Sequence, residues 1–196
     1  MRYSGSHKER TRGRVLRTAT RLFKSAGYRG VGVDAIMEAE GLTAGGFYAH
    51  FDSKEALLSE IFDGALAETK AQILSGLDDR TGLEWLREAC RRYLGRPHRD
   101  HAADGCPMPA LAAEVARSSR RVRARFQKYL EQLAGEFEER LSPAVTAPRD
   151  RALAAIALCV GGILLARAVE DAALSDRILS ACRRHPLVHE AGDEMR

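Results

Sequence analysis

The sequence of 196 residues predicts an all-α protein. Its apolar residues recur at the helical period of about 3.6 residues, as Val15, Ala19, Leu22 and Phe23 do in the first such segment. No segment shows the two-residue alternation of a half-buried strand. Glycines, serines and prolines separate the periodic segments, at positions where helices begin and end.

The N-terminal part predicts two helices followed by a tight turn. The first spans about residues 8–26 and ends at Gly27, a residue that suits the left-handed position after a helix. The second is short, contains Ile36 and starts from Gly32, which is an acceptable N-cap. Gly41 provides the turn before the next helix.

A third helix, over about residues 44–51, completes a helix-turn-helix pattern. Thr43 is its predicted N-cap, and Phe47 and Phe51, four residues apart, share one face and point into a small core. The second helix of such a unit is built to enter the major groove of DNA. Ser53 is the predicted N-cap of a fourth helix that continues to about residue 75.

The rest of the chain predicts five further helices. A capping box of Thr81 and Glu84 opens a helix to about residue 94, and residues 95–106 form a polar loop. Ser118 or Ser119 is the predicted N-cap of a long helix. The remaining helices span about residues 107–115, 118–141, 150–171 and 175–184. The helix after residue 150 is apolar on nearly every side, which predicts burial in one subunit or in an interface.

Positive charge is concentrated at the N-terminus. The chain carries a net charge of +4, and residues 1–54 hold ten Lys and Arg against five Asp and Glu. Residues 55–196 hold 21 against 22 and are nearly neutral. A basic N-terminal part on a neutral body predicts an anionic partner for that part, with a solvated charged face as the alternative.

Composition predicts a cytoplasmic protein without membrane association. The first residues are polar and lack the apolar core of a signal peptide. The longest near-apolar run, residues 152–166, is shorter than the ~18–20 residues that cross a bilayer. The four cysteines form no CxxC pair, which favours reduced thiols.

Several motifs together resemble the TetR family of bacterial transcriptional repressors. They are Leu-Phe-Lys-Ser-Ala-Gly-Tyr at 22–28, Val-Asp-Ala-Ile at 33–36, Gly-Leu-Thr at 41–43, Phe-Tyr-Ala-His-Phe at 47–51 and Ser-Lys-Glu-Ala-Leu at 53–57. The resemblance covers about residues 10–58. It implies a homodimer with an N-terminal DNA-binding domain, here residues 1–54. It also implies a C-terminal helical domain, here residues 55–196, that binds a small-molecule inducer and dimerises through residues 150–184.

The resemblance also implies a set of DNA contacts. Thr43 either caps its helix or also donates to a phosphate, which a helix N-terminus favours. Ala44 offers a methyl group to a base edge, and two following glycines permit close approach, with a weak short helix as the alternative. Tyr48 matches a phosphate-binding position of the family, or else is half-buried. The predicted contacts are Arg14, Thr43, Ala44, Gly45, Gly46, Tyr48, His50 and Lys54.

Aromatic and sulfur-containing side chains are candidates for contacts with a small hydrophobic or aromatic inducer, although such a stripe is more often part of the core. They are Trp85, Tyr93, Cys106, Met108, Phe126 and Tyr129. Cys106 follows a glycine in the loop, which suggests thiol or electrophile sensing as an alternative to inducer binding, and an inert buried thiol as its rival. The spacing of His98, His101 and Cys106 fits no standard zinc site, so we predict no metal and no cofactor.

These patterns predict a ligand-responsive regulator, a repressor that binds a pseudo-palindromic operator as a homodimer and leaves it when an inducer binds. An enzyme with a helical fold is the third possibility. The sequence offers no nucleophile and base at a known spacing. Gly45-Gly46 is followed by no Lys-Ser/Thr, so it is no phosphate-binding loop. We therefore expect no enzymatic activity.

Overall fold

A computed structural model of the chain describes residues 4–141 and 145–188. All regular structure in these ranges is helical, which confirms the all-α prediction. Short 3-10 helices occur at Ala44–Ala49, Ala102–Asp104 and Pro186–Val188, and a π-helical turn follows the third α-helix at Lys70–Leu74. The α-helices are α1 (Ser4–Gly30), α2 (Val33–Glu38), α3 (Lys54–Thr69), α4 (Gly82–Tyr93), α5 (Arg96–Asp100), α6 (Met108–Val115), α7 (Arg120–Leu141), α8 (Pro148–Ala168) and α9 (Ala172–Arg183).

The described residues fall into two compact units. The first comprises the chain up to Ala65 together with Cys106–Tyr129, and the second comprises Leu66–Gly105 together with the chain from Leu130. In the first unit α1 packs against α6, and the core includes Phe23, Phe47 and Leu57, each fully buried. Residues 106–129 thus pack with the N-terminal helices. A division of the chain at residue 54 assigns these residues to the C-terminal part.

Helix α1 is kinked at Gly27 rather than ended there. Gly27 has φ 75° and ψ 160°, and helical backbone resumes afterwards as far as Gly30. The prediction identified the left-handed position correctly but missed the extra turn. That turn exists because side chains from other helices bind its backbone, as described below.

Local capping was predicted with mixed success. Ser53 caps α3, since the Ala56 amide donates to Ser53 Oγ at 3.0 Å. Ser119 accepts from the Val122 amide at 3.5 Å at the start of α7. Thr81 makes no capping bond, and Glu84 instead forms an ion pair with Arg80 at 3.4 Å. Thr81 thus occupies the predicted N-cap position, but the side-chain hydrogen bond of a capping box is not formed.

In the second unit α8 packs along α9 through a glycine. A Cβ atom on Gly162 would lie 2.8 Å from Leu94 Cδ2 and 2.9 Å from Cys182 Sγ, so a larger residue would displace these side chains. Asp171 caps α9 by accepting from the Ala173 amide at 2.8 Å. Because Gly162 has no side chain, α9 packs directly against this face of α8.

The other side of α8 is uncovered within one chain. In α8, Leu164 and Leu165 are 48% and 57% exposed, and Leu153 is also exposed. Leu174 of α9 is exposed as well. By length and composition alone Pro148–Ala168 is apolar enough to cross a membrane, a test that core helices also pass, and 39% of its apolar window is buried. The structure thus leaves an apolar face where the sequence predicted burial nearly all round.

Candidate nucleic-acid interface

The segment Ala44–Ala49, called the recognition segment below, forms a 3-10 helix rather than the predicted α-helix. Thr43 occupies the predicted N-cap position with extended backbone, but its side chain makes no capping hydrogen bond. Two consecutive glycines, each about 1 kcal/mol worse than Ala in an α-helix, favour a short and tighter 3-10 turn. The segment is therefore held by its tertiary contacts more than by its own helical propensity.

Phe47 and Tyr48, adjacent in the recognition segment, point in opposite directions. Phe47 is fully buried and its ring centroid lies 5.4 Å from that of Phe51, as the four-residue spacing predicted. Tyr48 is 67% exposed, with its ring edge-on to Phe47 at 5.4 Å. One aromatic residue anchors the segment, and the next presents a hydroxyl group to solvent.

The start of the recognition segment and the preceding Thr43 carry few side-chain groups that can form hydrogen bonds. Thr43 and Gly45 are exposed and Ala44 is half-buried. A Cβ atom on Gly46 would meet Met37 Cε at 3.5 Å, so the side-chain position of Gly46 faces the interior. The exposed surface here consists mainly of backbone and the Thr43 hydroxyl, with few groups that could read a base edge.

Arg12 joins the end of the recognition segment to α3. Its Nε donates to the His50 carbonyl at 3.3 Å, and its guanidinium lies 4.7 Å from the centroid of the Phe51 ring. The same guanidinium forms an ion pair with Glu60. Arg12 is thus bound inside the protein, and the His50 side chain, a predicted DNA contact, is half-buried.

Arg14 and Lys54, two predicted DNA contacts, also have partners inside the protein. Arg14 Nε donates to Glu40 at 2.7 Å, and a hydrogen bond from Thr18 followed by those from Arg14 lowers the pKa of the Glu40 carboxyl. Lys54 Nζ donates to the Tyr28 carbonyl, and burial lowers the pKa of its ammonium. Both phosphate contacts stay predictions.

A basic groove lies on α1. It has a volume of about 590 Å³ and is lined by Glu9, Arg10, Gly13, Arg14 and Arg17. The arginines recur every three or four residues, so their helical spacing was the available signal. Such a surface favours an anionic backbone without reading its sequence.

The candidate inducer contacts of the first unit lie in a packed core. Cys106 is 1% exposed and its Sγ lies 3.4 Å from the Tyr129 hydroxyl. Phe126 packs edge-on against Phe62, with ring centroids 5.3 Å apart, and Met108 is buried. Cys106 is buried, as the inert-thiol alternative predicted, because Tyr129 of α7 packs against it. The thiol-sensing alternative is not supported.

Two cavities are lined by described residues of the second unit, and one of the candidate residues lines the smaller of the two. Trp85 lies against Phe137 at 4.8 Å and borders a cavity of about 250 Å³. The larger cavity has a volume of about 520 Å³ and is lined by Gln72, Ile73, Arg91, Arg92, Gly95, Pro97, His98, His101, Asp104 and Gly105. Most of that lining comes from residues 95–105, which the sequence analysis interpreted as a plain polar loop.

The wall of the larger cavity is an ordered structure. His98 is buried, its Nδ1 is hydrogen-bonded to the Tyr93 carbonyl at 2.7 Å, and its ring lies 4.3 Å from the Tyr93 ring. Arg167 of α8 donates to the carbonyls of His98 and Arg99. A Cβ atom on Gly105 would lie 2.4 Å from the His98 ring, so glycine is required there. Tyr93 thus supports the cavity wall without being part of its lining.

Two family models match this chain. The model described as "Bacterial regulatory proteins, tetR family" matches residues 15–61, and "Tetracyclin repressor-like, C-terminal domain" matches residues 82–182. The HTH-type transcriptional repressor KstR2 of Rhodococcus jostii (strain RHA1) is 39% identical over 85 residues. That match covers 41% of this chain and 42% of KstR2, so it spans less than half of the relative.

Solved structures share the fold. A TetR-family regulator from Cytophaga hutchinsonii superposes with a TM-score of 0.76 at 22% identity, covering 93% of this chain and 94% of that one. AibR, solved with isovaleryl coenzyme A and operator DNA, has a TM-score of 0.59 at 21% identity, covering 88% of this chain and 96% of that one. The matched families are regulators rather than enzymes. The chain therefore belongs to the TetR family of bacterial transcriptional regulators.

Proposed function

We propose that this protein is a cytoplasmic repressor that binds a pseudo-palindromic operator as a homodimer and leaves it when a small molecule binds. Residues 1–54 would form the DNA-binding domain and residues 55–196 the effector-binding and dimerisation domain. The observation that carries the proposal is the recognition segment, whose Phe47 is buried while Tyr48 is 67% exposed beside it. An exposed tyrosine on a rigidly anchored turn is suited to contact a phosphate.

On DNA the recognition segment would rely on backbone contacts and shape. Tyr48 and Thr43 offer hydroxyl groups, and exposed Gly45 permits close approach to the phosphate chain. Ala44 and Gly46 bring no hydrogen-bonding side chain to a base edge. Specificity would then depend substantially on the groove width and deformability of the operator.

The dimer would form through residues 150–184. The exposed leucines of α8 and α9 form an apolar face that a second copy could cover with its own equivalent face, as a two-fold interface requires. Fully burying an exposed leucine side chain is worth about 1.5–3 kcal/mol, and these leucines are 37–57% exposed, so each would contribute roughly half of that. Four such residues per chain are therefore a substantial driving force for association.

The inducer would occupy the 520 Å³ cavity of the second unit. Cavities that bind small molecules commonly have volumes of about 300–1,000 Å³, with an apolar lining and a few polar groups. Ile73 and Pro97 provide apolar lining here, and His101 and Asp104 provide polar groups. A small hydrophobic or aromatic molecule with a polar end would suit this lining. The AibR structure supports the proposal, since it contains both an acyl coenzyme A and DNA.

Selection of DNA from a random pool, followed by gel shifts at stated salt concentrations, tests the proposal. We expect an inverted repeat with half-sites about 10 base pairs apart or a multiple of that, bound by two or more copies of the chain. Tyr48→Phe removes only the hydroxyl and should weaken binding by a similar factor on all sequences. Enrichment of no specific sequence, or binding by a single copy to a site without symmetry, would contradict the proposal.

A further inference from the structure

The turn that follows the kink in α1 is held by a carboxylate from α6. After Gly27 the backbone restarts a helical turn, whose first amides have no partner within the helix. Glu114 supplies the partners: Oε2 accepts from the Tyr28 amide at 2.6 Å, and Oε1 accepts from the Arg29 amide at 2.9 Å. Both carboxylate oxygens are thus used on backbone donors 85 and 86 residues away in the sequence.

The carbonyl group of Tyr28 is bound by a cation from α3. Lys54 Nζ donates to the Tyr28 carbonyl and lies 4.2 Å from the centroid of the Tyr28 ring. The Tyr28 ring packs edge-on against Phe23 at 5.3 Å. One residue, Tyr28, therefore has its amide bound to α6, its carbonyl bound to α3, and its ring packed on α1.

Glu114 lies close to Gly27, and a second contact between a carboxylate and a backbone amide lies nearby. A Cβ atom on Gly27 would lie 3.4 Å from Glu114 Oε2, and the φ of 75° already favours glycine there. At the start of α7 the Ser119 amide donates to Glu55 Oε1 at 3.1 Å. The chain around residues 114–119 is thus joined to the N-terminal helices at two places, each time through a carboxylate and backbone amides.

We propose that Glu114 is a positioning residue for operator binding, with Lys54 as its counterpart on the other side of Tyr28. This inference rests on the proposed function. The two side chains are called the Tyr28 clamp below. Before DNA is bound, Glu114 holds α1 to α6 and Lys54 holds α1 to α3, and α1 in turn contacts the end of the recognition segment through Arg12. A surface that is already positioned loses less conformational freedom on binding. In this arrangement Lys54 acts through Tyr28 rather than through a phosphate.

Glu114→Gln is the main test variant, because it keeps the shape of the side chain but removes the charge and one acceptor. Amide hydrogen exchange at Tyr28 and Arg29 should become faster in the variant. Affinity for the selected operator should fall about tenfold, as expected when a hydrogen bond to a charged group is lost. The salt dependence of binding should not change, because no phosphate contact is removed. Tolerance for altered half-site spacing should increase, a change that a general loss of stability would not produce.

Glu84→Gln is the matched control, since its side chain is 69% exposed and it forms an ion pair with Arg80, four residues earlier in the sequence, at 3.4 Å. It should leave exchange at Tyr28, affinity and spacing preference unchanged. Lys54→Met tests the clamp independently from α3, so a folding failure of one variant leaves the other decisive. The clamp predicts weaker binding with an unchanged salt dependence, whereas loss of a phosphate contact lowers the slope by about 0.9.

Two results would overturn the inference. One is unchanged exchange at Tyr28 and Arg29 together with unchanged operator affinity in Glu114→Gln. The other is a reduced salt slope in Lys54→Met, which would identify Lys54 as a phosphate ligand. Failure of the wild-type protein to bind any specific DNA would instead refute the proposed function, and the exchange measurement, which needs no DNA, would still report on the clamp.

Discussion

Substituting alanine at Phe47 and at Tyr48 separates the stability of the recognition segment from its binding role. Phe47 is fully buried and packs on the rings of Phe51 and Tyr48, each at 5.4 Å. Truncating a buried phenylalanine costs about 3–5 kcal/mol. Tyr48 is 67% exposed, and its loss removes chiefly one edge-on ring contact, worth about 0.5–1.5 kcal/mol. We therefore expect Phe47→Ala to destabilise the protein at least twice as much as Tyr48→Ala.

Urea unfolding followed by two signals provides the assay. Far-UV circular dichroism reports all the helices, while fluorescence reports the single tryptophan, Trp85, which lies in the second unit. Phe47→Ala should shift the dichroism transition to lower urea, and Tyr48→Ala should shift it little while weakening operator binding. Equal destabilisation by the two substitutions would refute the reasoning, because it would mean that Tyr48 is an anchor of the segment rather than its exposed contact.

Three further predictions follow from packing and charge. Gly162→Ala should lower the stability of the second unit by about 1–3 kcal/mol in thermal unfolding, because the new Cβ meets Leu94 and Cys182. Gly161→Ala, with no atom near its Cβ, should not lower it. Hydrogen bonds from Arg91 and Arg92 lower the Glu88 pKa from its ordinary 4.5 to about 2, so the stabilisation is complete above pH 4.5 and is lost as the pH falls towards 2. Glu88→Gln should remove this part of the acid sensitivity of the melting temperature, and an unchanged pH profile would contradict the assignment. Leu165→Glu should shift the sedimenting species from dimer to monomer, since it puts a charge on the exposed apolar face, and an unchanged mass would contradict the proposed interface.

The N-terminal helices could be predicted closely because their signals are local. Gly27 and Gly41 have φ values of 75° and 69°, which glycine adopts at little cost, and Ser53 binds an amide only three residues away. Phe47 and Phe51 share a face because of their spacing alone. Where local signals competed, prediction was less successful. The capping hydrogen bonds of Thr43 and Thr81 are not formed, and consecutive glycines turned a predicted α-helix into a 3-10 segment.

The candidate site was harder to predict than the fold. A charged residue can bind DNA or pair with a group inside the protein, and the sequence alone does not show which. Arg12, Arg14 and Lys54 all carry the charge expected of phosphate contacts, yet each is hydrogen-bonded inside the first unit. Cys106 follows a glycine in a polar stretch, yet it is buried beside Tyr129. In each case the partner lies more than 20 residues away in the sequence, beyond the reach of periodicity and capping rules.

By itself the sequence determined that the chain is helical, where most helices begin and end, and that its first part resembles a DNA-binding head, because these depend on interactions within a few residues. Tertiary structure alone decided which surfaces are free and which groups are paired. Glu114 meets Tyr28 across 86 residues, and residues 95–105 line a cavity instead of forming a plain loop. Such contacts depend on how whole helices pack, and packing combines the shapes and charges of residues that are distant along the chain.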